Sequence, residues 1–231
     1  MKERSIQSTN PTYMKPIEQP TKIDIPETVV LRLPLYVRAL TQVLEQNQNM
    51  DVLSSEQLGQ ILQISPAQIR KDLSYFGKFG KQGTGYDVRI LKHRLRQILG
   101  LDTTWKACLV GVGRLGGAIM NYPQFWRDGF EIIAAFDSQI PHSTADFRNL
   151  AIQPMSELSE TVAKGNISIG IVAVPSDQVQ KVVDKLIIAG IRGILNYAPA
   201  TPSIPNYVVM RNLDPIIPLQ SMTFYLKNTR L

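Results

Sequence analysis

The chain has 231 residues, 44% of them hydrophobic and 19% charged, with a formal net charge of +6 at pH 7 and one cysteine. These values suit a globular chain of one large or two modest domains, and with no apolar run near the roughly 20 residues of a membrane span and no secretory signal, a cytoplasmic protein is expected. A lone cysteine excludes an internal disulfide and a zinc site built from cysteines.

Residues 1–24, rich in Ser, Thr, Asn, Gln and Pro, read as a disordered tail. A helix over Val29–Leu44 follows, with Val37, Leu40 and Leu44 at helical spacing. Ser54 and Gln57 then have the spacing of a capping box, and Leu58, Ile61 and Leu62 give the short helix behind it one apolar face. After a turn at Gln63-Ile64, Ser65-Pro66-Ala67-Gln68 repeats the start signal: a cap, proline at the first helical position, and glutamine at the third. This second helix runs to about Phe76 and stops at Gly77. Two short helices joined by a tight turn make a helix-turn-helix.

On a wheel of about 100° per residue, Ile69, Leu73 and Phe76 form the buried stripe of the second helix. Ala67, Lys71 and Ser74 fall opposite, with Arg70 on the flank. A small, polar and basic outer face suits a recognition helix in a major groove, where Lys and Arg bind phosphate or guanine and Ala67 can meet a thymine methyl; the plainer reading is a solvated basic face. Lys78 to Tyr86 has three glycines, two lysines and two aromatics, a hairpin composition that directly after a recognition helix reads as a wing, with Lys81 and Gly83 at its tip; the plainer reading is an ordinary surface hairpin. The candidate DNA contacts are Ser65, Ala67, Gln68, Arg70, Lys71, Ser74 and Tyr75, with Lys81 and Gly83. Between Ile61 and Gly100 eight Lys and Arg face two Asp, a surplus equal to that of the whole chain, which points to a polyanion such as double-stranded DNA. Asp87–Leu99 is an amphipathic helix with Val88, Leu91, Leu95 and Ile98 on one stripe, and Gly100 ends it. Residues 25–100 therefore read as a winged-helix domain, with a boundary near Leu101-Asp102-Thr103.

From Lys106 onward strands and helices alternate: strands at Lys106–Gly111, Phe130–Asp137, Ile167–Val174, Gly193–Tyr197 and Tyr207–Met210, with helices at Ser156–Lys164 and Ser176–Ala189. This predicts a parallel sheet covered on both faces, the α/β class. Cys108 lies in the first strand and reads as a small core residue rather than a thiol switch. Gly111-Val112-Gly113-Arg114-Leu115-Gly116 is a GxGxxG that follows a strand and opens a helix, and the second strand ends in Asp137 at the distance expected of a ribose ligand. Gly111 permits the turn, Gly113 admits a pyrophosphate, and Gly116 allows close helix–strand packing. Asp137 would accept from the ribose hydroxyls and repel a 2′-phosphate, so NAD(H) is expected over NADP(H); Arg114 either pairs with the pyrophosphate or points outward. The two histidines lie outside this fingerprint, and no substrate domain or metal site is evident, so a non-enzymatic role is expected.

The two halves together resemble the Rex family of redox-sensing transcriptional repressors. The resemblance rests on Arg32-Leu33-Pro34-Leu35-Tyr36, on the run Ser65 to Gly77, on Gly83-Thr84-Gly85-Tyr86, on Gly190 to Pro199, and on Arg211-Asn212-Leu213-Asp214. It implies a winged-helix domain joined to a Rossmann NAD(H)-binding domain over residues 101–217. It further implies a homodimer whose C-terminal helix, within residues 218–231, swaps onto the partner, with Leu219, Met222 and Leu226 as its stripe. It implies binding to palindromic operator DNA and release when NADH binds. By position it places Tyr122 near the nicotinamide and makes Arg38 and Asp214 a salt bridge formed in one state and broken in the other. Two other readings remain open: a nicotinamide-dependent dehydrogenase carrying a nucleic-acid domain, and a repressor whose Rossmann domain takes a coenzyme A derivative.

Overall fold

A computed structural model describes residues 25–47, 51–81, 84–139 and 150–228, and divides the chain into two compact units, 1–95 and 96–231. The expected tail, residues 1–24, lies outside the described residues.

The first unit opens with α1 (Glu27–Gln46), which buries Val29, Leu33, Tyr36, Val37, Leu40 and Val43. Then follow β1 (Val52–Leu53), α2 (Ser55–Leu62), α3 (Pro66–Ser74), β2 (Gly80–Lys81), β3 (Gly85–Asp87) and α4 (Val88–Ile98). The capping box at α2 is formed in full: Ser54 Oγ accepts from the Gln57 amide, and the Gln57 side chain accepts from the Ser54 amide. Gln63 takes the left-handed conformation and ends α2, and Gly59 lets the turn fold back, since a Cβ there would sit 2.6 Å from the Ile64 carbonyl oxygen. The antiparallel sheet β1-β3-β2 carries the hairpin after α3. Two residues assigned to apolar stripes face solvent instead: Ile61 and Ile98 are exposed, because each lies at the edge of a stripe that Leu58 and Leu95 already fill.

The second unit runs β4 (Trp105–Val110), α5 (Arg114–Met120), α6 (Gln124–Arg127), β5 (Phe130–Asp137), β6 (Ile152–Pro154), α7 (Leu158–Gly165), β7 (Ile169–Val172), α8 (Val179–Ile188), β8 (Gly193–Asn196), β9 (Val209–Asn212) and α9 (Ile216–Asn228). Short 3-10 turns at Met155–Glu157 and Ser176–Gln178 lead into α7 and α8. The six strands pair in the order β6-β5-β4-β7-β8-β9, every pair parallel. The order reverses between β4 and β7, which is the topological switch of a doubly wound sheet. Side chains alternate across the sheet. Cys108 and Val110 join the core under α7 and α8, while Ala107 and Leu109 join Ile119 and Met120 on the other face. Edge strand β6 has only three residues, one of them buried, and no sequence pattern announces it. Helix α9 begins at Ile216, ahead of the expected 218–231, and buries none of its residues. No described helix is long and apolar enough to cross a membrane.

Candidate nucleic-acid interface and cofactor crevice

Helix α3 presents an outer face of exposed Ala67, Arg70, Lys71 and Ser74, with Ser65 exposed at its start and Tyr75 exposed just after its end. Ser65 Oγ accepts from the Gln68 amide at 3.2 Å, as a cap should. The Gln68 side chain does not return to complete a second box; its Nε2 donates to Asp72 Oδ1 at 2.6 Å. Arg70 reaches across to the start of α2, donating to Ser55 Oγ at 2.7 Å and to Glu56 at 3.5 Å. Ser74 Oγ donates to the Lys71 carbonyl. Lys81 lies on β2, while its side chain and Gly83 fall outside the described residues.

Asp72 is the feature the sequence reading missed. Its carboxylate is fully buried, and burying a charge is costly unless partners surround it. Arg32 grips both oxygens, through Nε to Oδ2 and Nη2 to Oδ1, and the Tyr36 hydroxyl donates to Oδ2 at 2.5 Å. Burial alone would raise the Asp72 pKa, but the bonds from Arg32, Tyr36 and Gln68 outweigh it and hold the carboxyl below its usual range. Tyr36 moves the other way: burial, then the neighbouring carboxylate, push its phenol up. Two signals pointed here: an Asp lying beside the buried stripe of a helix, and an Arg-Tyr pair four residues apart on α1.

In the second unit the glycine loop sits where the strand order reverses. Gly111 has φ +93°, and a Cβ on it would lie 2.4 Å from the Ala173 carbonyl oxygen of the chain leaving β7. A Cβ on Gly116 would lie 1.9 Å from the Gly111 carbonyl oxygen, so α5 packs against the loop at a distance no side chain permits. At Gly113 a Cβ would meet nothing within 4 Å, so this backbone faces open space. Asp137 ends β5 beside the loop: Oδ2 accepts from the Val112 amide at 2.6 Å, and Oδ1 from the Gln139 amide at 3.0 Å and the Ser138 hydroxyl at 3.3 Å. A carboxylate offers about four acceptor positions, so Oδ2 keeps one for a further hydroxyl. Arg114 and Leu115 are exposed at the start of α5. The open backbone at Gly113 and the free lone pair of Asp137 fit a dinucleotide: Gly111 to Gly116 would hold its pyrophosphate and Asp137 a ribose.

Tyr122 is 56% exposed just beyond α5 and packs edge-on against Phe125. Burial raises the pKa of the Tyr197 phenol, and nearby Tyr122 adds to the shift. Behind Tyr197, buried Asn196 ties down the loop after β8: its amide donates to the Ala200 carbonyl at 2.8 Å and to Asn212 Oδ1 at 2.9 Å. Arg38 is exposed on α1 in the first unit; Asp214 lies in the second, where Oδ1 accepts from the Ile216 amide and caps α9. A cavity of about 420 Å³ lined by Met120, Phe125, Trp126, Phe130 and Leu150 also contains Thr104 and Glu131, which mark the amino ends of β4 and β5. Dinucleotides bind at the carboxyl ends, so this cavity is separate from the crevice. Among the described residues no group of His, Cys, Asp and Glu could hold a metal.

A helix-turn-helix with a hairpin behind it, joined to a doubly wound sheet carrying a dinucleotide fingerprint, defines a ligand-responsive DNA-binding regulator. Residues 102–200 match the family model "CoA binding domain", and residues 24–74 match "Putative DNA-binding protein N-terminus". The chain is 47% identical over 201 residues to the redox-sensing transcriptional repressor Rex of Chloroflexus aggregans, covering 87% of this chain and 94% of that one. It is 43% identical over 202 residues to Rex of Brevibacillus brevis, covering 87% and 97%. Among solved structures, RSP in complex with beta-NAD+ and operator DNA superposes with a TM-score of 0.81 at 33% identity, covering 87% of this chain and 92% of that one. RSP in complex with beta-NADH gives 0.79 at 32% identity, covering 89% and 95%. The chain belongs to the Rex family of redox-sensing transcriptional repressors. It is therefore a regulator, not an enzyme.

Proposed function

We propose that this chain represses transcription from the cytoplasm as a homodimer bound to palindromic operator DNA, and that NADH in the crevice of the second unit releases it. The observation that carries the ligand half is the Asp137 carboxylate, fixed by the Val112 amide beside a glycine loop with open space over Gly113. Residues 25–100 form the DNA-binding part, with Ser65, Ala67, Gln68, Arg70, Lys71, Ser74 and Tyr75 of α3 and its cap, and Lys81 and Gly83 of the wing, as contacts. Residues 101–217 bind NAD(H) through Gly111 to Gly116, Asp137 and Tyr122. The apolar residues of α9, all exposed in the single chain, suit a helix covered by the partner; residues 218–231 would supply that swapped contact.

The bound dinucleotide supplies one property, the charge of its nicotinamide ring, positive when oxidised and neutral when reduced. Burying the positive ring in an apolar pocket is costly, so closure over the ring beside Tyr122 would select the reduced form. That differential affinity is what an open–closed equilibrium requires. Arg38 and Asp214, one in each unit, are the ion pair proposed to mark one of the two states. If closure moves the paired recognition helices off their half-site spacing, DNA affinity falls.

A fluorescence-anisotropy titration of the purified protein on a family-type palindromic operator, at fixed salt, tests this with no ligand and with NADH, NAD+ or NADPH. Selective loss of binding with NADH is the expected result; equal affinity with saturating NADH and NAD+ would sink the model. The coenzyme A name of the matched domain model gives a second reading a foothold. It requires an acyl-CoA, and not NADH, to raise the melting temperature of the protein.

A further inference from the structure

Only three polar residues are buried among the described ones, and Asp72 is the one that carries charge. Its four hydrogen bonds fill the acceptor capacity of a carboxylate: Arg32 and Gln68 on Oδ1, Arg32 and Tyr36 on Oδ2. Packing alone does not call for this, because apolar residues of similar volume stabilise such a site as well or better. Three of these bonds tie α3 to α1. The fourth acts within α3 and fixes the side chain of a residue on its outer edge.

That residue, Gln68, is half-buried in the first turn of α3, on the wheel edge shared with Lys71 and Tyr75. An ionised carboxylate accepts and never donates, so it can bind only the nitrogen end of the Gln68 amide. Asp72 therefore settles which end of the amide is which. The nitrogen turns inward, and Oε1 and the second N–H remain for another partner. One acceptor beside one donor is the complement of the adenine edge in the major groove, N6–H and N7. The amino-terminal turn of a recognition helix is the part that meets base edges.

We infer that Gln68 reads an adenine in each operator half-site and that Asp72, clamped by Arg32 and Tyr36, is the positioning residue that orients it. The inference rests on the reading of α3 as the recognition helix. Gln68 is thereby separated from Lys71, whose contact with phosphate or guanine needs no such clamp. An Asn at position 72 has the shape of Asp but can donate as well as accept, so it would let the Gln68 amide turn over.

The test is a base-preference profile of the full-length protein. Duplexes are selected from a pool with randomised palindromic half-sites, and each position of the selected site is then replaced by the other three bases and titrated by anisotropy. Wild type should require adenine at one half-site position, with a loss of roughly tenfold or more for other bases. Gln68→Met and Asp72→Asn should both flatten that one position and leave the remaining profile as it was. Separately, nitrogen-resolved NMR of the wild type should show one Gln68 side-chain proton shifted and protected from exchange, a readout that does not need the Asn variant to fold. An unchanged profile for Gln68→Met overturns the inference. So does an Asp72→Asn variant that weakens every duplex by one common factor, or a pair of Gln68 amide protons that exchange like those of a free side chain. Failure of the wild type to enrich any sequence would bring down the recognition-helix reading itself, which the other outcomes leave standing.

Discussion

Asp137 is the residue on which the ligand reading can be tested alone. Its Oδ2 accepts from Val112 and keeps one position open, so Asp137→Ala removes both a brace of the glycine loop and a charged acceptor. Hydrogen bonds to charged groups contribute about 1.5–3 kcal/mol; NADH affinity, read by calorimetry, should fall by roughly tenfold or more. Cys108 makes the opposite kind of prediction. Burial pushes its thiol up to about 12, and only the thiolate reacts. An alkylating reagent at pH 8 should leave it unmodified in the folded protein and modify it once denaturant is added. Because its folded pKa is raised above the unfolded value of about 8.5, its contribution to stability is complete below that pH and fades as pH rises toward 12. Reaction of the folded thiol at pH 8 would mean that β4 opens to solvent.

At the scale of elements, α1 and α3 are joined by the Arg32–Asp72 pair. Arg32→Met leaves the carboxylate buried with only Tyr36 and Gln68 as donors. Breaking a buried pair in this way costs about 3–5 kcal/mol, and the two surviving donors favour the lower end. A urea titration followed by far-ultraviolet circular dichroism should show the loss. Asp72 has a depressed folded pKa, so its contribution is present above the unfolded value of about 4 and is lost as pH falls through the folded one. Acid should therefore weaken wild type below about pH 4 and narrow its difference from Arg32→Met. The clamp also shows where sequence reading stops. The Ser54–Gln57 box was legible because its partners are three residues apart and follow a local rule. Two partners of Asp72, Tyr36 and Arg32, are 36 and 40 residues away, and only the packing of α1 brings them in. The glycine fingerprint and Asp137 were legible for the same reason as the box, through fixed spacing after a strand. Strand β6 was not, because its identity as a strand comes from pairing with β5 rather than from any periodicity of its own. Gln68 was correctly placed on α3, but its bond to Asp72 replaced the capping role its spacing suggested.

For the whole molecule, the coupling between ligand and DNA must be reciprocal: if NADH lowers operator affinity by some factor, operator must lower NADH affinity by the same factor. Measuring NADH affinity with and without saturating operator checks this, and an affinity indifferent to DNA would remove the coupling whatever each unit binds separately. The placement of the tryptophans supplies a means. Trp105 opens β4, with its ring nitrogen donating to the Gly100 carbonyl, and Trp126 lies on α6; residues 1–95 contain no tryptophan. Excited at the red edge where tyrosine does not absorb, the protein therefore emits from the second unit alone. Reduced nicotinamide absorbs in the band where tryptophan emits, whereas the oxidised ring and DNA bases do not. Ligand in the crevice would thus dim the emission in its reduced form and leave it bright in its oxidised form, so the unlabelled chain carries its own optical gauge of the state it senses.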